Sequence, residues 1–580
     1  MNFFNRLIAL SVLLLLGTYT AYGQDDDDEQ TLDTEVVNVV RPYSPSLSDA
    51  FKIKQTPEIN DSITSQKQDV TYGIYSVPVA STFTPAKGTA VGVEKVERAA
   101  LYDNYATLGL GSYTTALAEF YSSWQLSRTD NFGLFLQHNS AQGDIEDIPL
   151  DASFLDTDLA LSYTSFQRDL GYDINLDVTH QLYNWYGINQ DLSFPDDVVN
   201  GIDPTQTYFS AFLSGGLTLE DSYFKSGRGT IGFLSDKFGS NEIRAILTPQ
   251  IELPITDYRF LVDVDLDFVS GSFERGYFDD QPIDYGFLNL GVSPALEILN
   301  DDLTLFLGAA VYMGQDIENS DTDIFVYPRV RASYRLLDDT VIAYGGIEGD
   351  LNQNSYYDFK ETNPFVSPTL MIAPTDQLYD AYLGIKGKFA GNVSYNLRGG
   401  YSNENNKPLF LSNPYKGASA GFEGYEFGNS FQVVYDNVET LNFFGELKIA
   451  LTEKATFGVS GNYFGYTGEL TGSNPWNLPE FTANASVDIQ FSDKFFAGAS
   501  LFFVGERQDV FSDTFTNTLP VVVTLDNYFD ANLYGTYRIN ERVSIFVRGN
   551  NLVGTNYQKW YNFPVQGLQV LAGATYKFNW

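Results

Sequence analysis

From Asn104 to Trp580 the sequence alternates apolar and polar residues with a period of two, and this alternation limits the fold more than any other feature. In Asp173-Ile174-Asn175-Leu176-Asp177-Val178-Thr179 the odd positions are polar and the even ones apolar. Val262-Asp263-Val264-Asp265-Leu266-Asp267 repeats the pattern. At the C-terminus Leu568, Val570, Ala572, Ala574, Tyr576, Phe578 and Trp580 share one parity, and Gln569, Gly573, Thr575, Lys577 and Asn579 hold the other. Successive side chains of a β-strand point to opposite faces. Such segments therefore set one face against an apolar medium and the other against water.

A soluble β-sandwich alternates too, so segment length and turn spacing must decide. Soluble strands average about 5–6 residues, whereas strands crossing a membrane in a barrel need about 9–11, and the segments here are of the longer kind. Connections alternate in length as well. Tight polar turns recur at Arg168-Asp169, Thr256-Asp257, Asn300-Asp301-Asp302, Asp338-Asp339, Gly391-Asn392, Glu453-Lys454, Ser492-Asp493 and Asn540-Glu541. Longer excursions separate them: Asn189–Pro204, Ser355–Gln377, Asn403–Asn429 and Gln508–Pro520. Short turns at one rim and long loops at the other characterise outer-membrane barrels. An open sheet edge is not viable in hydrocarbon, where each unpaired backbone group costs several kcal/mol, so the sheet must close. With both chain ends on the periplasmic side the strand number is even. Reading Ser430–Leu451 as one strand, without a break at Tyr435-Asp436-Asn437, satisfies that parity. The expected fold is all-β: a transmembrane antiparallel barrel of about 22 strands over residues 102–580, the size class of plugged transporters.

Residues 1–23 read as a secretory signal: Arg6 precedes the apolar run Leu7–Leu16, and Ala21-Tyr22-Gly23 supplies the small residues that a signal peptidase reads. That run is too short to span a bilayer as a helix, which takes roughly 20 residues. Residues 24–35 are acidic, with Asp25 to Glu29 an unbroken acidic run, and read as disordered. Residues 36–101 hold Pro42, Pro45, Pro57, Pro78 and Pro85 and are too few for a large domain. Cysteine is absent, which excludes disulfides and thiol chemistry. Lys and Arg total 34 against 74 Asp and Glu, and the resulting net charge of −40 argues against nucleic acid. It suits a barrel with a wet, acidic lumen and wet outer loops, whose outward face meets outer-membrane lipid.

Phe546-Val547-Arg548-Gly549-Asn550-Asn551-Leu552, followed by Tyr557, Pro564, Gly567 and Tyr576-Lys577-Phe578, resembles the closing strands of TonB-dependent receptors, with Val553 where that family usually has Phe. Tyr435-Asp436-Asn437 through Phe444-Gly445-Glu446-Leu447 is similar to an inner stretch of the same barrels. Glu35-Val36-Val37-Asn38-Val39-Val40 looks like the opening strand of their plug, and the whole resembles the shorter receptor-like barrels of Bacteroidota. Family plugs are larger than residues 36–101, and Arg98-Ala99 stands where the family usually has Arg-Gly. The resemblance thus implies a reduced plug. A barrel of this size must still be sealed, by that segment, by a partner or by inward-folded loops.

The resemblance also implies that Thr34, Glu35, Val36, Val37, Asn38, Val39 and Val40 pair as an added strand with a TonB-like periplasmic energy transducer; the plainer reading is a strand of the plug itself. Tyr576, Phe578 and the terminal Trp580 resemble the final aromatics by which barrel-assembly machinery recognises its clients. His138 and Ser140 share a strand face and raise the thought of a lipase, but a polar rim at a strand end is the simpler account. His180 sits on the apolar parity, and with only two histidines in the chain no zinc site is expected. Asp196-Asp197 and Asp279-Asp280 have the oxygen chemistry of calcium ligands yet read more simply as solvated loop charge. Asp263, Asp265 and Asp267 are expected to line the lumen. Tyr183, Trp185, Tyr186, Trp560 and Tyr561 are expected in interfacial girdles. Three functions remain open: an importer of a bulky scarce nutrient, such as a metal chelate or oligosaccharide; a non-transporting scaffold among outer-membrane subunits or lipoproteins; and an enzyme, for which the residue inventory is poor. No catalytic, metal or cofactor site is assigned.

Overall fold

The computed structural model describes residues 101–580 except 144, 193, 256–257, 420, 473–474 and 515–518. The expected signal, acidic segment and plug-like segment, Leu101 apart, lie outside the described residues, as do Thr34–Val40 and the turn Thr256-Asp257. Numbered in chain order there are 26 strands among the described residues, and 22 of them form one antiparallel sheet. That sheet closes on itself: β1 (Asn104–Gly111) pairs with both β2 (Ala116–Gln125) and β26 (Gln569–Phe578). The barrel strands run from 8 to 22 residues.

Twenty-two strands need 21 connections. The ten at the rim where β1 starts and β26 ends have two to four residues, and the eleven at the other rim have four to 23. Long loops mark the outer rim of such barrels. At the inner rim the ends are tied together: the Asp103 amide donates to Asn579 Oδ1 at 2.8 Å, and Asn579 Nδ2 donates to the Leu101 carbonyl at 3.3 Å.

Parity divides the wall as alternation requires. On β6 (Thr205–Leu219) Phe209, Leu213 and Leu217 are exposed on the outside, while Tyr208 and Ser210 are buried inside. On β12 (Asp321–Leu337) Ile324 and Val326 face out, and Tyr327 and Arg329 face in. Exposed leucine, isoleucine and phenylalanine in this number would be costly in water, at about 25 cal/mol per Å². Hydrocarbon removes that cost.

The segment read from Ser430 to Leu451 is β16 (Phe431–Thr452), unbroken through Tyr435-Asp436-Asn437. The excursion expected from Asn403 starts later, because β15 (Val393–Ser412) continues to Ser412. Its polar run Asn403–Lys407 is absorbed by a register shift between Glu404 and Lys407, with Asn406 at φ 52°. The Gln508–Pro520 excursion begins within a small hairpin, β20 (Arg507–Phe511) against β21 (Val521–Leu525).

Closure rests on close approach. Gly109 of β1 faces Gly573 of β26, and the Phe546 ring from β23 (Val543–Asn550) covers both. A Cβ on Gly573 would lie 2.2 Å from the Leu108 carbonyl oxygen and 2.4 Å from Phe546 Cζ. Thr107 and Thr575 hydroxyls meet at 2.9 Å on the lumenal side of the same seam. Trp580, 78% exposed, donates from Nε1 to Ser122 Oγ at 3.2 Å, and Phe578 packs between its ring and that of Tyr576. Gly573→Val should therefore lower the yield of closed barrel. The check is the fraction of heat-modifiable protein on semi-native gels, which should fall well below that of Val570→Leu on the outward face.

Candidate functional site

The lumenal wall is polar and its charges are paired across strands. Arg228 meets Asp173 at 2.9 Å, Arg244 meets Asp267 at 2.7 Å, Arg329 meets Asp350 at 2.9 Å and Arg398 meets Asp380 at 2.5 Å. Asp263 accepts from Gln250 Nε2 at 2.7 Å and Asp265 from the Tyr312 hydroxyl at 3.4 Å. The three aspartates expected in the lumen are there. A cavity of about 360 Å³ opens beside them, lined also by Arg329, Arg331, Glu348 and Asp350.

Above this wet wall the outer loops turn inward and pack on one another. The buried cluster joins Ile145 and Leu150 from one loop, Tyr186 and Ile188 from a second, Phe359, Val366 and Leu370 from a third, and Trp560 and Phe563 from a fourth. Phe365, partly buried, packs against it. Its ring stacks on Phe563 with centroids 4.0 Å apart and meets Tyr186 edge-on at 5.6 Å. Its carbonyl accepts from Trp185 Nε1 and from the Phe431 amide, each at 3.0 Å. A glycine is required beside it: a Cβ on Gly187 would lie 2.5 Å from the Phe563 ring.

Trp185, Tyr186 and Trp560 are therefore not girdle residues. Trp185 is 1% and Trp560 8% exposed, and the Tyr186 hydroxyl donates to the Pro564 carbonyl at 2.9 Å. Tyr183 packs edge-on against Phe365, and Asn189 donates to the Tyr561 hydroxyl at 3.2 Å. The reason is position: these residues lie at or beyond strand ends, where the chain turns over the mouth instead of along the lipid face. Nothing in alternation reports that turn.

Residues 353–374 form the longest inward excursion apart from the one that carries the β20–β21 hairpin. They contain a helix, Tyr356–Thr362, which Ser355 caps by accepting from the Asp358 amide at 3.1 Å. Two buried charges hold it. Glu242, on β8 (Asn241–Ile255), accepts from the Tyr285 hydroxyl at 2.7 Å and from the amides of Tyr356 and Tyr357 at 2.7 and 3.1 Å. Free amides at a helix start favour an anion. Lys360 donates to Gln181 Oε1 at 2.5 Å and to Glu361, and its ammonium sits 4.6 Å from the Tyr357 ring centre. Arg244 adds a bond to Asp358 at 2.8 Å. The sequence held one unread sign of this arrangement, the capping pattern Ser355-x-x-Asp358 inside a supposed loop. Nothing in it marked Lys360 as buried.

Other loop charges are paired in the same region. Glu426, 1% exposed, binds Arg275 and Lys416, and the Lys416 ammonium also donates to the Tyr277 carbonyl at 2.6 Å. Asp509 of the small hairpin accepts from the Ser412 amide and hydroxyl and from Asn477, each at 2.9 Å. Burial pushes its carboxyl up from the usual range, and the Asn477 and Ser412 donors oppose the shift.

The remaining candidates are ordinary. His138 contacts Ser140 Oγ at 3.2 Å and Thr157 Oγ1 at 2.8 Å, so the group on its other nitrogen is a hydroxyl and not an orienting carboxylate. His180 is exposed on the outward face, paired in register with Phe209. Asp196 and Asp197 start a four-residue helix, and Asp279 accepts from the Gln281 amide. Among the described residues no group of three or more His, Cys, Asp or Glu is arranged to hold a metal ion.

A closed barrel of 22 antiparallel strands, with short turns at one rim, long loops at the other and a charged lumen, has the architecture of a large outer-membrane-type β-barrel. No protein-family model matches the sequence, and no curated protein matches it. Solved structures do match in fold. The ferripyoverdine receptor of the outer membrane of Pseudomonas aeruginosa is similar with a TM-score of 0.58 and 14% identity, over 82% of this chain and 72% of that one. The ferric-catecholate import receptor Fiu of E. coli K12 is similar with a TM-score of 0.59 and 11% identity, over 82% of each chain. The copper transporter OprC is similar with a TM-score of 0.57 and 14% identity, over 83% of this chain and 81% of that one. These neighbours are receptors and transporters, not enzymes.

Overfilling the site at Gly187 provides a test. Gly187→Val should destabilise the packed loops by about 1–3 kcal/mol, the usual cost of overpacking, while the barrel still closes. Limited proteolysis of whole cells should nick the outer loops faster than in the parent, at unchanged heat-modifiability.

Proposed function

We propose that this chain is an outer-membrane uptake receptor of the TonB-dependent type in a Gram-negative bacterium, importing a bulky, scarce nutrient such as a metal chelate or an oligosaccharide. The observation that carries the reading is the closed 22-strand barrel itself, with its two unlike rims and its likeness to receptor and transporter barrels. In this reading residues 1–23 are removed on export and residues 36–101 serve as a reduced plug. Thr34–Val40 adds a strand to a TonB-like energy transducer in the periplasm. Tyr576, Phe578 and Trp580 form the signal read by barrel-assembly machinery, and outer-membrane lipid solvates the outward parity. Ligand is captured at the outer loops and passes inward along the charged wall.

A second reading is a non-transporting barrel that serves as scaffold or accessory subunit of an outer-membrane assembly or secretion complex, together with other subunits or lipoproteins. The packed aromatic cluster over the mouth favours it, because a barrel already closed by its own loops can serve without a passage.

Deleting Asp25–Val40 separates the two. For an uptake receptor, growth on one scarce nutrient is lost while the barrel accumulates normally. Unimpaired growth on every such nutrient, accompanied by a general envelope defect, would support the scaffold instead.

A further inference from the structure

The geometry points to residues 353–374 as a latched strap: a gate that seals the outer mouth of the barrel and opens by releasing two polar clasps, at Glu242 and Lys360. Both ends of the strap are fixed. β13 (Val341–Asn352) and β14 (Thr375–Phe389) flank it, and Asn352 pairs with Thr375 at its base. From there it crosses the lumen. Lys360 reaches Gln181 on β5 (Leu170–Asn184), eight strands round the wall from β13 (13 − 5 = 8). Tyr356 and Tyr357 reach Glu242 on β8, and the Tyr356 hydroxyl donates to Asp236 on β7 (Phe224–Asp236) at 2.8 Å. On the way back Ser367 donates to the Phe431 carbonyl at 2.8 Å.

The choice of fastening argues for a gate over a fixed lid. The strap already owns apolar anchors in Phe359, Val366 and Leu370, which would hold a permanent seal. Against the wall, however, it is fastened through two charges, the wall's own Glu242 carboxylate, which takes its amides, and its own Lys360 ammonium, each only 2% exposed. Buried charges add little net stability, but they specify one seating, and removing one partner leaves the other uncompensated. Such a contact is strong when seated and lost abruptly when unseated. Below the strap the wall is polar, lined by Asp263, Asp265, Arg329 and Arg331, so among the described residues the apolar closure lies at the level of the strap. The inference holds whether the barrel imports or acts as a scaffold, because it concerns closure and not cargo.

The natural absence of cysteine allows a direct test in the full chain on whole cells. Ser293→Cys places a thiol in the lumenal cavity beneath the strap, and Asp280→Cys places one on an outer loop, where that side chain is 93% exposed. The probe is a maleimide on a polyethylene glycol chain too large for porins, added outside. In the parent background the outer thiol should label and the lumenal one should not. Adding Glu242→Gln and Lys360→Met should speed lumenal labelling by about tenfold or more, as a lost charge-assisted clasp shifts the closed–open balance. Heat-modifiability on semi-native gels reports that the barrel itself is intact, and Lys360→Gln alone replaces the pair if it is not. Lumenal labelling as fast as outer labelling in the parent overturns the proposal. So does continued protection in the clasp variants of an intact barrel.

Discussion

Every strand but two in a planar sheet of this size has both edges paired, and the two that do not are what membrane hydrocarbon forbids. Pairing β1 with β26 removes them, and the rest of the molecule follows from that closure. Two glycines face each other at the joint, Gly109 and Gly573, where the Phe546 ring crowds both positions and the Leu108 backbone leaves no room for a side chain on Gly573. With the circle complete, each strand's parity has a fixed meaning: odd residues of β6 meet lipid and even ones meet the lumen. The even strand number and the common rim at which β1 starts and β26 ends are consequences of the same joint.

The lumen and the mouth solve different problems with different chemistry. Along the wall, arginines pair with aspartates one or two strands away in a wet channel, where such pairs order the surface without demanding dehydration. At the mouth, aromatic rings from four loops exclude water, and the few charges present are buried against specific partners. The change occurs within a few residues. Arg244 bonds the wall through Asp267 and the strap through Asp358, so a single guanidinium joins the two layers.

The parts of the wall that local sequence controls were legible. Asp263, Asp265 and Asp267 read as lumenal because alternation fixes side-chain direction once a strand exists, and β16 read as unbroken because strand parity required it. The wall failed to read through only where local rules lapse: a bulge at Glu404–Lys407 carries β15 farther than its polar composition suggests. The mouth was illegible for a stronger reason. Trp185 and Trp560 have the composition of an interfacial girdle, and their burial depends on Phe238, Tyr425, Phe410 and Phe431, partners distant in sequence.

What the sequence determined by itself is a closed, membrane-spanning antiparallel sheet with short turns at one rim, because a period of two over long segments, with polar breaks between them, has few other solutions. What only the tertiary structure decided is how that cylinder ends. Whether a loop of Ser, Tyr, Phe and Lys stands up into water or folds across the opening depends on Glu242 and Gln181 being positioned on distant strands to receive it. Contacts of that kind have no period, and they exist only once the barrel has brought those strands round the same mouth.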